Sequence, residues 1–358
     1  MTSADIALNR LFNQQIERTK FTAPGELVHW LGAIQAQDYA MAKWAIGLRV
    51  PDGTDQVVED AINQGHIIRT HILRPTWHFV AAPDIRWMLQ LTAPHLKRIA
   101  ASINRKLELD DLLFPKIYQI LTKSLAGGQQ LTRQELMAAL NQAGIPTNAL
   151  RASYIMFQAE IEGIVCNGAR RNKQFTYALL DEIIPPATQT FSRNEALAEL
   201  AKRYFTSHGP ATIQDFAWWS GLSLTDARLG LAHTKANLIF EIVVGQTYWF
   251  AEKAAIEIPK QENLHLLPAF DEFMVSYKDR TASLLPAYSK ATITGNGIFK
   301  PILVVNGKVA GLWQPVPQKN KIKVLLSLFD SSANLNEELL ATAVKKYGIF
   351  RNAPLKIS

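Results

Sequence analysis

Apolar and polar positions repeat one plan three times along this chain, most plainly in the middle copy. Thr132 and Glu135 stand at capping-box spacing, and Leu136, Ala139 and Leu140 share one helical face behind them. The spacing predicts a second helix over 149–162, then a strand over 164–167. A basic turn follows, Gly168-Ala169-Arg170-Arg171-Asn172-Lys173, and a further strand over 175–180. Helices that end in a basic hairpin have the layout of a winged helix, in which the hairpin is the wing.

The first copy opens with an amphipathic helix marked by Ile6, Leu8, Leu11, Phe12 and Ile16. Thr22 caps a second helix, with Pro24 in its first turn, and that helix is expected to break near 35–38. Asp38 is then the N-cap of a third helix, over 39–48, and a short helix around 57–62 stops at Gly65. The wing is expected over 66–73 and 76–81, joined at Arg74-Pro75, with helices from Asp84 to about 106 behind it. The third copy has a helix around 195–205, Thr212 and Asp215 capping the next helix, and strands over 238–244 and 247–251. Beyond about 255 the period changes to alternation, and Asn306-Gly307 is a two-residue hairpin signal. A second hairpin is expected near 318–320 and a closing helix over 337–347.

The expected class is therefore α+β: three tandem winged-helix units and a small C-terminal antiparallel β-barrel or sheet. The units are placed at 1–110, 111–186, 187–254 and 255–358, with a linker over 185–193. Three such units in one chain suggest a cradle for nucleic acid.

Composition narrows the classes. The chain has 358 residues, 48% of them hydrophobic and 19% charged, which is the balance of a globular protein. No apolar run is long enough to span a bilayer, and no basic-then-apolar leader opens the chain, so a cytoplasmic location is expected. The one cysteine, Cys166, excludes an internal disulfide and falls in an expected strand, where a buried inert thiol is the simplest reading. The net charge of +7 favours a polyanionic partner without proving one.

The conspicuous polar cluster is Gln35-Ala36-Gln37-Asp38. On a regular helix, side chains two apart diverge by about 200°, so Gln35 and Gln37 can serve one site only if the helix breaks there. Two converging amides can hold a water and bind phosphate or sugar, but an amide is no general base at neutral pH. The plain alternative is a solvated or capping helix end, and Asp38 is either an N-cap or a neighbouring base. In the first wing, alternation sets Arg69 and His71 on one face and Thr70 and Ile72 on the other. Arg69, then Arg74 and Thr76 at the turn, and His78 after it are the candidates for holding DNA, although His78 is more simply a satisfied structural histidine. Two more candidate sets for tracking phosphates are Arg170, Arg171 and Lys173 in the second wing, and Lys319, Lys321 and Lys323 near the last hairpin; each set read singly is ordinary surface charge. Trp218-Trp219 could stack bases, although tandem aromatics in an apolar helix are more often core. No spacing of histidines suggests a metal site, and no nucleophile motif or cofactor loop is present in the sequence.

At Gln35-Ala36-Gln37 the chain resembles the AlkZ-like DNA glycosylases, a winged-helix family. The segments Leu73-Arg74-Pro75-Thr76-Trp77-His78, His208-Gly209-Pro210-Ala211-Thr212 and Asp215-Phe216-Ala217-Trp218-Trp219 carry the likeness onward. Leu267-Pro268-Ala269-Phe270-Asp271-Glu272-Phe273 and Val305-Asn306-Gly307-Lys308-Val309 extend it into the C-terminal part. The resemblance implies a C-shaped array of winged helices that excises N-alkylated purines from duplex DNA, interstrand crosslinks included. The family's Gln-x-Gln motif falls on Gln35 and Gln37. Pro75 departs from the glycine the family often has, which changes backbone freedom at that turn. No Schiff-base lysine is marked, so a monofunctional enzyme without lyase activity is expected; a monomer without cofactor is expected as well. The competing readings are a non-catalytic winged-helix regulator, which usually binds as a dimer, and a partner-binding scaffold.

Overall fold

The computed structural model of the protein describes residues 1–185, 190–251, 262–319, 321–332 and 334–357. The order helix, short strand, two helices, hairpin recurs three times. The first pass is α1 (Ser3–Asn13), α2 (Pro24–Leu31), β1 (Ile34–Gln35), α3 (Tyr39–Gly47), α4 (Asp55–Asn63), β2 (Ile67–His71) and β3 (Trp77–Ala81). A long connecting helix, α5 (Ile85–Lys106), leads to the second: α6 (Leu113–Leu125), β4 (Leu131–Thr132), α7 (Arg133–Gln142), α8 (Ala149–Ile161), β5 (Val165–Asn167) and β6 (Thr176–Leu179), ending in α9 (Leu180–Ile183). The third is α10 (Arg193–Ser207), α11 (Ile213–Ser220), α12 (Leu224–Thr234), β7 (Leu238–Val243) and β8 (Gln246–Ala251).

The sheets repeat as well. Their orders are β1-β3-β2 and β4-β6-β5, so in each the short strand pairs with the second arm of the hairpin. In the third pass a single bridge, Ala211 to Trp249, takes the short strand's place against β8. The capping predictions hold at Thr132/Glu135 and Thr212/Asp215, where both reciprocal bonds are made.

The C-terminal part comprises β9 (Leu264–Leu267), α13 (Glu272–Val275), α14 (Ser289–Thr292), β10 (Ile302–Val305), β11 (Lys308–Gln318), β12 (Lys321–Leu328), α15 (Glu337–Arg351) and β13 (Leu355–Ile357). Asn306 and Gly307 turn β10 into β11 with φ of 50° and 76°, the pair of positive values a two-residue hairpin needs. Of the expected barrel or antiparallel sheet, the structure gives a sheet, with one parallel pair to correct. The strands form one sheet in the order β13-β12-β11-β10-β9, in which β13 joins parallel to β12. Among the described residues β9 and β13 are its open edges. The parallel pairing follows from the connection: α15 is a crossover between β12 and β13, where a tight turn would have made the pair antiparallel.

The hydrophobic cores cut across the sequence-based units. One core joins α2, α3, α4 and one face of the β2–β3 hairpin (Ile67, Phe79) to the C-terminal sheet and α15. A second joins the other hairpin face (Ile68, Val80, Leu73) to α5, α10 and α11. Among the described residues, only the helices and hairpin of the second pass hold a core of their own. The first hairpin is thus apolar on both faces and sits between two cores. The expected linker over 185–193 and the boundary near 255 fall partly outside the described residues.

Candidate active site

Gly32, at φ 77°, ends α2 earlier than the sequence suggested, and Ile34–Gln35 run as a strand. The break expected near 35–38 therefore begins three residues sooner, where only glycine takes that backbone angle without strain. Extended backbone puts alternate side chains on one side, so Gln35 and Gln37 meet: Gln35 Nε2 donates to Gln37 Oε1 at 2.5 Å. The Gln37 amide N–H points back to Gln35 Oε1 at 3.3 Å. Gln35 is buried and Gln37 exposed, so the pair runs from the protein interior to its surface. Asp38 is the N-cap of α3, its Oδ1 accepting from the Met41 amide at 3.0 Å, as the sequence suggested.

The backbone beneath the pair is held from three directions. The Gln35 amide donates to Glu272 Oε1 at 2.8 Å, and the Ala36 amide donates to the Trp77 carbonyl at 2.7 Å. The Ala36 carbonyl accepts from Arg69 Nε and Nη2, each at 3.1 Å. Glu272 lies on α13, is fully buried, and also accepts from Trp219 Nε1 at 3.1 Å and from the Ser276 hydroxyl. Burial opposes its charge, yet His208, Ser276 and the Gln35 amide outweigh that and hold the carboxyl at about 2.

Arg69 was expected to hold DNA. It is instead 4% exposed and spent internally: besides Ala36, its Nη1 donates to Asn167 Oδ1 at 3.0 Å. Its guanidinium lies 4.4 Å from the Trp77 ring centre and 4.7 Å from that of Phe175. The register places Gln35, His78 and Thr70 side by side across the sheet. His78 is likewise buried, with Nδ1 on the Thr76 carbonyl at 2.9 Å and Nε2 without a partner among the described residues. Burial, then the neighbouring Arg74 charge, lowers its pKa to about 3, so His78 is neutral. Arg74 and Thr76 are half-buried, because the turn between β2 and β3 does not project. Leu73, at φ 60°, packs its carbonyl over Gly221, where an added Cβ would lie 2.3 Å from that oxygen.

The second hairpin comes to the same place from the other side. Arg170 stacks over Tyr39, next in α3 after the motif, with 5.1 Å between guanidinium and ring centre. Arg171 pairs with Glu135, and Arg171 and Lys173 are exposed. Lys319, Lys321 and Lys323 are not gathered in: they lie at the β11–β12 turn and on β12, three strands across the sheet from β9. Lys319 is in the turn itself, so only Lys321 and Lys323 alternate on a strand face as expected. Trp219 is core, while Trp218 remains 43% exposed. Cys166 is buried in β5, and burial pushes its thiol up to about 12. The sequence reading gave no role in the site to Glu272, Asn167 or Gly221. Two adjacent carboxylates inside the apolar run 266–275 were the available signal for a buried charge.

The family profile described as DNA glycosylase AlkZ-like matches residues 28–350. The chain belongs to the AlkZ-like DNA glycosylases. It is 24% identical over 333 residues, 87% of each chain, to an interstrand DNA cross-link repair glycosylase of Streptomyces sahachiroi. Its fold matches the solved Streptomyces sahachiroi DNA glycosylase AlkZ with a TM-score of 0.83, at 20% identity and over 100% of both chains. Membership makes the protein an enzyme of DNA repair and removes the regulator reading. No described helix of this glycosylase is long and apolar enough to cross a membrane.

Proposed function

We propose that this glycosylase hydrolyses the N-glycosidic bond of cationic, N7- or N3-alkylated purines in duplex DNA, interstrand crosslinks included, with Gln35 and Gln37 positioning the water. The observation that carries the reading is the contact between the two amides on a backbone fixed by Glu272, Trp77 and Arg69. Each amide oxygen has two lone pairs, so both can accept from a water while the remaining N–H groups face DNA. No strong base is needed, because an alkylated purine already carries positive charge and departs as a neutral base. What the enzyme must stabilise is the oxocarbenium-like sugar left behind. A neutral, paired base lacks that leaving tendency, which gives selectivity without tight base reading.

In this reading each of the three repeats is a winged helix, the units being 1–110, 111–186 and 187–254 in a C-shaped array, with 255–358 as the C-terminal sheet. Arg170, Arg171 and Lys173 meet phosphates, and the lysines Lys319, Lys321 and Lys323 extend the path. The enzyme acts as a cytoplasmic monomer. The test is a duplex carrying one N7-methylguanine, scored for abasic sites under single-turnover conditions. Gln37→Ala is expected to slow release by about two to three orders of magnitude, the loss of one positioned polar group, with duplex affinity retained. Equal rates for the variant and the parent would end this proposal.

A further inference from the structure

β1 is an edge strand of the first sheet, so among the described residues its outer side meets no further strand. The Gln35 N–H on that side goes to a carboxylate instead of a carbonyl, Glu272 Oε1 at 2.8 Å. Three neutral donors hold Glu272: this amide on Oε1, and the Trp219 indole N–H and the Ser276 hydroxyl on Oε2. Such donors favour the ionised form but do not cancel its charge.

No cation cancels it at contact either. Among the described residues the one basic group in ion-pair range is His208, whose Nε2 lies 3.8 Å from Oε2 and makes no hydrogen bond. The ring favours the ionised carboxylate, yet burial lowers its own pKa from the ordinary histidine value, so at neutral pH it brings no formal charge. His78 is neutral for the same reason. The Arg74 guanidinium senses Glu272 without forming an ion pair to it among the described residues. Arg69 stands in register with Phe79 while Gln35 stands in register with His78, so the Arg69 charge lies on the other face of the sheet, toward Trp77 and Phe175. A buried carboxylate is ordinarily paired with a cation. This one is hydrogen-bonded but unpaired, and it backs directly onto the strand that carries the two amides.

We propose that the charge of Glu272, beyond its hydrogen bonds, stabilises the oxocarbenium-like sugar from behind Gln35. The inference rests on the reading that Gln35 and Gln37 face that sugar. When the glycosidic bond breaks, its electron pair leaves with the base, which becomes neutral, and the positive charge passes to the sugar. A fixed carboxylate on the sugar's side of the site favours that passage, and burial keeps water from screening it. Glu272 touches no reacting atom; it acts through the field it sets up around the amide pair. Arg74, by the same reasoning, subtracts from that field.

The test compares the affinity of the full chain for two duplexes that differ at one abasic-site analogue. One carries a pyrrolidine, whose ring nitrogen is positively charged at neutral pH; the other carries a neutral tetrahydrofuran of the same shape. The parent protein is expected to prefer the pyrrolidine duplex. Glu272→Gln should cut that preference about tenfold, the size of one charge–charge interaction across several ångströms of protein. A purely structural loss would weaken both duplexes together and leave their ratio alone. Because Glu272 is buried, a second variant covers the case in which Glu272→Gln does not fold. Arg74→Gln removes the opposing charge and should raise the pyrrolidine preference, even where a lost phosphate contact weakens both duplexes. Neither duplex has a base to release at the analogue, so the outcome does not depend on whether Gln37→Ala slows excision. No pyrrolidine preference in the parent, an unchanged ratio in folded Glu272→Gln, or an unchanged or lowered ratio in Arg74→Gln overturns the proposal.

Discussion

The first and second hairpins share a sheet order and a position in the repeat, yet one is built inward and the other outward. Every residue of β2 is buried, and so are all of β3 but Trp77. The turn between them is pressed onto Gly221, and the strand cation Arg69 is consumed by Ala36 and Asn167. The second hairpin keeps its strands buried but leaves residues 171–174 exposed, with Arg171 and Lys173 facing solvent. One layout therefore serves two purposes. The first hairpin fixes the backbone that carries Gln35 and Gln37, and the second holds Arg171 and Lys173 out to solvent, where the proposed function has them meet phosphates. Arg69 bonding Asn167 is where they join, so the basic hairpin and the glutamine pair are held in one frame.

The comparison breaks most sharply at Gly221. Its φ of 71° and the 2.3 Å approach of a Cβ to the Leu73 carbonyl leave no room for a side chain. Gly221→Ala should lower stability by about 2–4 kcal/mol, the left-handed strain plus the displaced turn, as read by urea denaturation. The equivalent change at the exposed turn, Asn172→Ala, should stay within about 1 kcal/mol. Similar losses at both positions would mean the first turn is no more constrained than the second.

Arg69 comes next in size. Lysine cannot reproduce a fork that donates twice to Ala36 and once to Asn167. Arg69→Lys should cut the single-turnover excision rate about tenfold, by roughly one charged hydrogen bond, and leave the salt dependence of duplex binding unchanged. A reduced salt slope would return Arg69 to the phosphate contacts that the sequence suggested.

Much of this frame was legible in the chain. Capping boxes, the Asn306-Gly307 turn and the basic hairpin are set by local chemistry, and local chemistry can be read in order. Gln35 and Gln37 were singled out on the condition that the helix break there, and Gly32 supplies the break. What could not be read is which hairpin is covered. Strand alternation put Arg69 on a face but could not tell whether that face meets DNA or Phe175, more than a hundred residues later. Glu272 shows the same limit, since its partners Gln35 and Trp219 are distant in sequence and only the fold brings them together. The last hairpin's lysines were grouped with the second wing's because both are basic turns, and charge spacing holds no information about which sheet a turn belongs to.

A smaller effect tests the outward hairpin. Arg171→Ala and Lys173→Ala should each reduce duplex affinity a few-fold and lower the slope of log K against log salt by about 1. Stability should stay at the parent level, because the Arg171–Glu135 pair is solvent-exposed and weak. The same substitutions at Lys321 and Lys323 separate a continuous phosphate path from a local one. An unchanged slope there would confine DNA contact to the second hairpin.

The faintest signal is the pH dependence of the inward hairpin. Its folded state holds His78 at about 3, below the ordinary histidine value, because burial and Arg74 both oppose a charge. Between those two pH values the unfolded chain takes up a proton that the folded chain refuses, so stability falls as pH drops from about 6.5 toward 3. Glu272 acts in the same direction over a lower window, since its carboxyl stays ionised down to about 2 while an unfolded glutamate protonates near 4.5. His78→Asn keeps an N–H for the Thr76 carbonyl and removes the titration. It should therefore flatten the dependence between pH 6 and 5, above the glutamate window, by about one proton, measured as ΔG of urea unfolding at several pH values. An unchanged slope in that interval would place the proton uptake on another histidine and leave His78 reachable by water, which the inward construction of this hairpin does not allow.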